Sequence, residues 1–374
     1  MTRTSCLHSK PHYAILDGLR GVAAVLVVLF HLFETFAADR FDYVIDHGYL
    51  AVDFFFILSG FVIGYAYDDR WGRMTWRDFV KRRLIRLHPM VVMGMAIGAV
   101  CYYGGDSSAF SVIGETPVWK MLLLLGLGCL MIPVPPSMDI RGWTETYPLD
   151  GPAWSLMFEY IANILYMLLL RRLPTLLLGV AVAAAAAATV WLGITGPNGD
   201  FIGGWALTGH ELTVGFVRLA YPFLMGLLMA RMNRLIRIPA AFWVCSLALI
   251  AVFVSPRLGG PEWVNGLYEA GCILLVFPLI VAAGAGGRIS GRFSTAACRF
   301  LGDISYPLYI THYPLIYLYT GWASDVHPSP GAAAGYGALL LAGSLGIAWV
   351  CLRFYDLPVR AWLTRRWLER RRSA

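Results

Sequence analysis

Apolar residues recur along this chain in blocks of about 20, the length a helix needs to cross a hydrocarbon core. The blocks predict spans near 16–36, 49–67, 84–103, 153–170, 174–194, 213–230, 239–256, 265–284, 300–320 and 333–352. One further apolar stretch, Met121–Val134, is too short to span. It is interrupted by Gly126 and Gly128 and followed by Pro133, Pro135 and Pro136. It reads as a re-entrant or interfacial element. Irregular backbone cannot face lipid, so this stretch and the polar loop 135–151 are expected to cover a cavity or lie at the interface. The fold class is therefore all-α integral membrane, with about ten transmembrane helices in a single domain.

Composition agrees. Of 374 residues 58% are hydrophobic and 14% charged, with mean hydropathy +0.62; soluble domains carry roughly 25% charge. No polar stretch is long enough to be a separate soluble domain. The seven cysteines are scattered without a C-x-x-C pair and suggest neither a metal site nor a disulfide framework. The first apolar run has a short core and a poor cleavage site at Thr35-Phe36-Ala37, so it reads as a retained helix and not a signal peptide.

A net charge of +7 raises the question of nucleic acid, and the placement of the charges answers it. With the N-terminus in the cytoplasm, the inner segments hold 24 of the 30 basic residues, among them Arg3, the cluster from Arg70 to Arg86, and the tail from Arg353 to Arg372. Outer loops keep Arg40, Lys120, Arg141 and Arg257, while Arg20 and Arg218 fall within spans. This bias orients the helices with both ends cytoplasmic and leaves nucleic acid without a role.

Ionisable groups inside a bilayer are costly and point to function. The first helix carries Asp17, Arg20 and His31. Eleven residues put Arg20 and His31 on one helix face, roughly 16 Å apart along the axis. A permanent cation with a titratable group further along suits an anion held at one end and proton chemistry deeper in. The plain alternative has Arg20 snorkelling onto Asp17 and His31 satisfying a carbonyl. In the second helix Asp53 lies near the expected level of His31, where it would orient an imidazole or complement a helix N-terminus. Arg82, Arg83 and Arg86 form one basic face suited to phosphate oxygens, or to positive-inside anchoring. Glu159 sits deep in the fourth helix with Trp154 and Ser155 before it, and Ser305, Tyr309 and His312 share a face of the ninth, next to Tyr306. No G-x-S-x-G elbow, glycine-rich phosphate loop or H-E-x-x-H occurs.

Five of these segments, in order, resemble the type-3 membrane acyltransferase family of bacterial O-antigen and exopolysaccharide O-acetylases. They are Leu16-Asp17-Gly18-Leu19-Arg20-Gly21 with His31, the run Val52–Phe61, Arg83 with Arg86, Trp154-Ser155-Leu156 with Glu159, and Gly302-x-Ile304-Ser305-Tyr306 to His312. The likeness runs from about residue 12 to 360, leaving a basic cytoplasmic tail at 361–374. Two departures are Ala51 where the family usually has Gly, and Asp356-Leu357-Pro358 in place of Glu-x-Pro. The resemblance is to the membrane domain and not to the SGNH-type domain that some relatives carry, so transfer is expected to be completed by the membrane domain or a separate partner.

The resemblance implies a multi-pass protein of the bacterial inner membrane. It would move an acyl group, acetyl above all, from cytoplasmic acyl-CoA to a carbohydrate or glycolipid hydroxyl, with no resident cofactor and no metal. His31 would be the general base, oriented by Asp53 or Glu159. Arg20, Arg82, Arg83 and Arg86 would hold the donor, and Asp17, Trp154, Ser155, Ser305, Tyr306, Tyr309 and His312 would line the pocket. A proton-coupled transporter or glycan flippase is the rival class, since intramembrane His, Asp and Glu also build proton relays; transporter-type repeat symmetry is not seen. Sequence alone names neither acceptor nor oligomeric state.

Overall fold

The computed structural model describes residues 10, 12–37 and 44–369. Cys6, Arg3, Arg40 and the basic residues from Arg370 onward lie outside them. Helices and the loops between them make up the described residues, with no strand among them. In chain order the helices are α1 (Ala14–Glu34), α2 (Ala51–Tyr67), α3 (Trp76–Cys101), α4 (Val118–Cys129), α5 (Ala153–Leu168), α6 (Thr175–Thr195) and α7 (Gly209–Met232). There follow α8 (Ala241–Val254), α9 (Glu262–Gly271), α10 (Phe277–Gly286), α11 (Arg292–Thr311), α12 (Tyr313–Val326), α13 (Pro330–Cys351) and α14 (Leu357–Thr364).

Among the described residues eight helical segments are long and apolar enough to cross a membrane. They account for eight of the ten expected spans; α9 and α10 form one of them, joined through a π-turn at Cys272–Val276. The other two take a different form. α8 is a 14-residue apolar helix. The span expected at 300–320 begins earlier, at Arg292, and is interrupted at His312. The cause is local: Pro314 has no N–H to extend the helical ladder, and α12 restarts with Leu315 and Ile316 donating to His312 O.

Two helix pairs form the centre, α1 with α11 and α2 with α7. The second pair shows why small residues sit where they do. A Cβ on Gly60 would lie 2.1 Å from Phe223 O, and one on Gly226 would lie 2.1 Å from Ile57 O. Only glycine lets these backbones touch, the close approach that drives helix association where lipid removes the hydrophobic force.

Local signals set the helix starts. Thr75 and Asp78 exchange side-chain and backbone hydrogen bonds in a capping box ahead of α3. Thr208 caps α7 by accepting from Glu211 N, and Glu211 reaches back to accept from Gly204 N at 2.6 Å. That carboxylate fixes the loop leading into α7.

The short apolar stretch is the 12-residue helix α4. Beyond it the chain runs irregularly through 130–152 with Ile140, Arg141, Leu149 and Asp150 almost fully buried. Tyr102 donates to Ile140 O at 2.6 Å, and Thr146 N donates to Trp205 O at 2.8 Å. The loop is thereby held within protein, as irregular backbone near a membrane must be. It forms part of the wall of a cavity.

Candidate active site

Two chambers lie between the central helices. The larger, about 470 Å³, is bounded by α1, α2 with the turn Gly48–Leu50 before it, α5, α7, α11 and α12 and by the loops 130–152 and 197–208. The smaller, about 90 Å³, lies among α1, α2, α3, α5 and α11. Val52 and Tyr309 belong to the walls of both. The Tyr309 hydroxyl is 2.7 Å from Ser155 Oγ, so α5 and α11 are joined at this partition.

The smaller chamber collects cations. Arg20, Arg83 and Arg86 line it together with Ser59, Glu159, Ser305 and Tyr306. Arg20 is steered by Asp17 at 2.8 Å and by Ser305 Oγ at 2.9 Å; Asp17 also meets His12 at 2.8 Å. Arg83 donates to Glu159 at 2.7 Å, and Ser59 donates to the same oxygen at 2.9 Å. Arg86 lines the chamber and makes no hydrogen bond to another described residue. Arg82, on the same helix, is not among the residues lining this chamber. Helical phase separates it from Arg83 and Arg86.

The larger chamber holds His31. Its Nδ1 donates to Glu34 Oε2 at 2.8 Å, which leaves Nε2 as the basic nitrogen. The ring stacks against His312 at 5.7 Å between centroids and meets Tyr313 edge-on at 4.8 Å. His312 is fully buried, with Nδ1 donating to the carbonyls of Leu308 and Tyr309. It stacks on His31 but is not among the residues lining either chamber. Trp154 lines the larger chamber, packed on Gly204 and below the Arg218 guanidinium.

The hydrogen-bond partner of His31 is neither of the two carboxylates expected to orient it. Neither Asp53 nor Glu159 bonds His31. Asp53 is fully buried and receives Arg218 at 2.7 Å, while the same guanidinium donates to Tyr49 O and Gly203 O. Close packing of α2 on α7 brings these two charges together. Glu159 is drawn by Arg83 toward the smaller chamber. The residue that does bond His31, Glu34, was legible in sequence as its i+3 neighbour on α1. Arg218 stood out only as a cation within a span. Asp356, at the departure from Glu-x-Pro, is buried and bonds Arg360 at 3.1 Å.

Sequence reasoning missed the rest of the larger chamber: Tyr49, Trp143, Glu145, Trp205 and Tyr313. Three of these lie in loops, where periodicity is silent. Burial raises the Glu145 carboxyl to about 7, and it raises Asp150 well above the usual carboxylate range.

The chain is 34% identical over 169 residues to Protein 2 in the picA locus of Rhizobium radiobacter, covering 41% of this chain and 80% of that one. It is 24% identical to the peptidoglycan O-acetyltransferase OatA of Listeria monocytogenes, covering 96% of this chain and 57% of the relative. With acyltransferase MdmB of Streptomyces mycarofaciens it shares 26% identity, covering 89% and 82%. No solved structure matches. A family model described as an acyltransferase domain matches residues 13–353, and the chain belongs to that family of membrane acyltransferases.

Proposed function

We propose that this protein transfers an acyl group, acetyl in the first instance, from acyl-CoA to a carbohydrate hydroxyl. The observation that carries the reading is the pair of chambers meeting at Tyr309 and Val52, one lined by arginines and the other by His31. Relatives named as O-acetyltransferases supply the substrate class. In this reading the arginine chamber opens to the cytoplasm of a bacterial cell and takes phosphate oxygens of CoA at Arg20, Arg83 and Arg86. The acyl thioester reaches the partition, and the acceptor enters from the loop side.

His31 Nε2 takes the proton of the acceptor hydroxyl as its oxygen attacks the thioester carbonyl. The C–S bond then breaks, and the CoA thiolate recovers that proton from His31. Glu34, on Nδ1, holds the tautomer and stabilises the imidazolium between these steps. In this reading the thioester carbonyl would meet the Ser155 and Tyr309 hydroxyls at the partition as it gains negative charge. Asp53 serves the scaffold through Arg218.

The test is transfer from radiolabelled acetyl-CoA to a sugar panel by purified protein in lipid nanodiscs, with His31→Ala and Arg20→Ala compared at equal folded concentration. Loss of transfer in His31→Ala, and a raised acetyl-CoA KM in Arg20→Ala, support the roles. Near-normal activity in either variant removes its assignment.

A further inference from the structure

The larger chamber has an acid that the chemistry above leaves unused. Glu145 lies on the loop 130–152, is 5% exposed, and lines the chamber that contains His31. Tyr317 donates to its Oε2 at 2.5 Å. Arg141 is next to it in the fold but forms no salt bridge with it. The Arg141 guanidinium instead lies 3.5 Å from the centroid of the Tyr317 ring and donates to Pro148 O. Glu145 Oε1 has no hydrogen-bond partner among the described residues. It lies beside Gly151 and the Tyr313 ring; a Cβ on Gly151 would stand 2.7 Å from both. Tyr313 is the ring that meets His31 edge-on.

The same wall carries indoles. Trp143 precedes Glu145 by two residues and Trp205 comes from the facing loop; both line the chamber, as does Trp154. Thr146 N to Trp205 O ties one loop to the other, and Glu211 fixes the second through Gly204 N and Trp205 N. Flat aromatic faces beside a carboxyl with spare hydrogen-bonding capacity suit a ligand with an apolar ring face and hydroxyls at its rim.

We propose that Glu145 is the acceptor-positioning residue: the chamber takes a sugar by two hydroxyls, the reacting one at His31 and a second one at Glu145 Oε1. This rests on the acyl-transfer reading above and adds to it a determinant of which sugars are accepted. Glu145 would act by placing the ring, with no part in bond making.

The experiment pairs Glu145→Gln with methyl glycosides of glucose and N-acetylglucosamine and their single-deoxy analogues, at fixed acetyl-CoA. Glutamine keeps the shape and still accepts from Tyr317. The expected result is an acceptor KM raised about tenfold while the acetyl-CoA KM keeps its wild-type value. Wild type should penalise one non-reacting deoxy position, and that penalty should vanish in Glu145→Gln. An unchanged acceptor KM, or a penalty that persists, overturns the assignment while leaving acyl transfer intact. A purely structural role would lower the thermal midpoint of Glu145→Gln and of Tyr317→Phe alike without altering sugar preference. Should wild type transfer to none of these sugars, tryptophan fluorescence titration with the same glycosides decides independently. Saturable quenching weakened in Glu145→Gln supports the site; no quenching, or equal quenching, overturns it.

Discussion

Asp53 with Arg218 and Glu34 with His31 are two acid–base pairs in the same half of the molecule, at 2.7 and 2.8 Å. They differ in what is left over. The first pair is sealed, its side chains 0% and 1% exposed, with the guanidinium also engaged by the carbonyls of Tyr49 and Gly203. Arg218 borders the larger chamber, yet its hydrogen bonds run to groups of the protein itself. In the second pair His31 is 17% and Glu34 39% exposed, and both line a chamber of about 470 Å³. One ring nitrogen is committed to Glu34 and the other is left to a substrate. A buried charge is thus no sign of chemistry by itself; spare capacity facing a cavity is.

Breaking the sealed pair should have the largest effect. Arg218→Met strands the Asp53 carboxylate among apolar groups, with an expected loss of about 3–5 kcal/mol. Detergent-solubilised protein should show it as a large fall in thermal midpoint. Restoring neutrality with Asp53→Leu in the Arg218→Met background should recover much of that stability; no recovery would mean the charges themselves are not what binds α2 to α7.

The open pair should behave in the opposite way. His31→Gln is expected to lower turnover about 10³-fold with little change in thermal midpoint. A stability loss comparable to that of Arg218→Met would place His31 in the scaffold instead. Glu34→Gln should cost turnover about tenfold, since the tautomer is still held but the imidazolium loses its counter-charge.

The smallest effect is a pH dependence. Burial places the Glu145 carboxyl at about 7, so it passes from acid to carboxylate as pH rises through that value. The charged form accepts a hydroxyl more strongly. Acceptor KM should therefore fall between about pH 6 and pH 8 by a few-fold, and Glu145→Gln should remove that part of the profile. Arg141, Asp139, Asp150, Tyr313 and Tyr317 surround this carboxyl, and His31, Glu34 and Arg218 share its chamber. Their contributions persist in Glu145→Gln, so the difference between the two profiles isolates Glu145.

Much of this was written in the chain. Apolar blocks gave the helices because a bilayer leaves the backbone no other way to satisfy its polar groups. Arg20, Arg83 and Arg86 were found because they are costly where they lie, and the fold gathers them around one small chamber. Glu34 was within reach of helical spacing from His31.

The partners of long-range charges were not. Asp53 and Arg218 are separated by 165 residues and meet because Gly60 and Gly226 let two backbones touch. Loop residues Trp143, Glu145 and Trp205 carry no periodic signal, and only the folding of two loops over the bundle brings them to His31. Composition and period determine what must be buried, since transfer energies depend on the residue alone. Which buried group keeps a free valence is a property of its neighbours, and tertiary packing decided that.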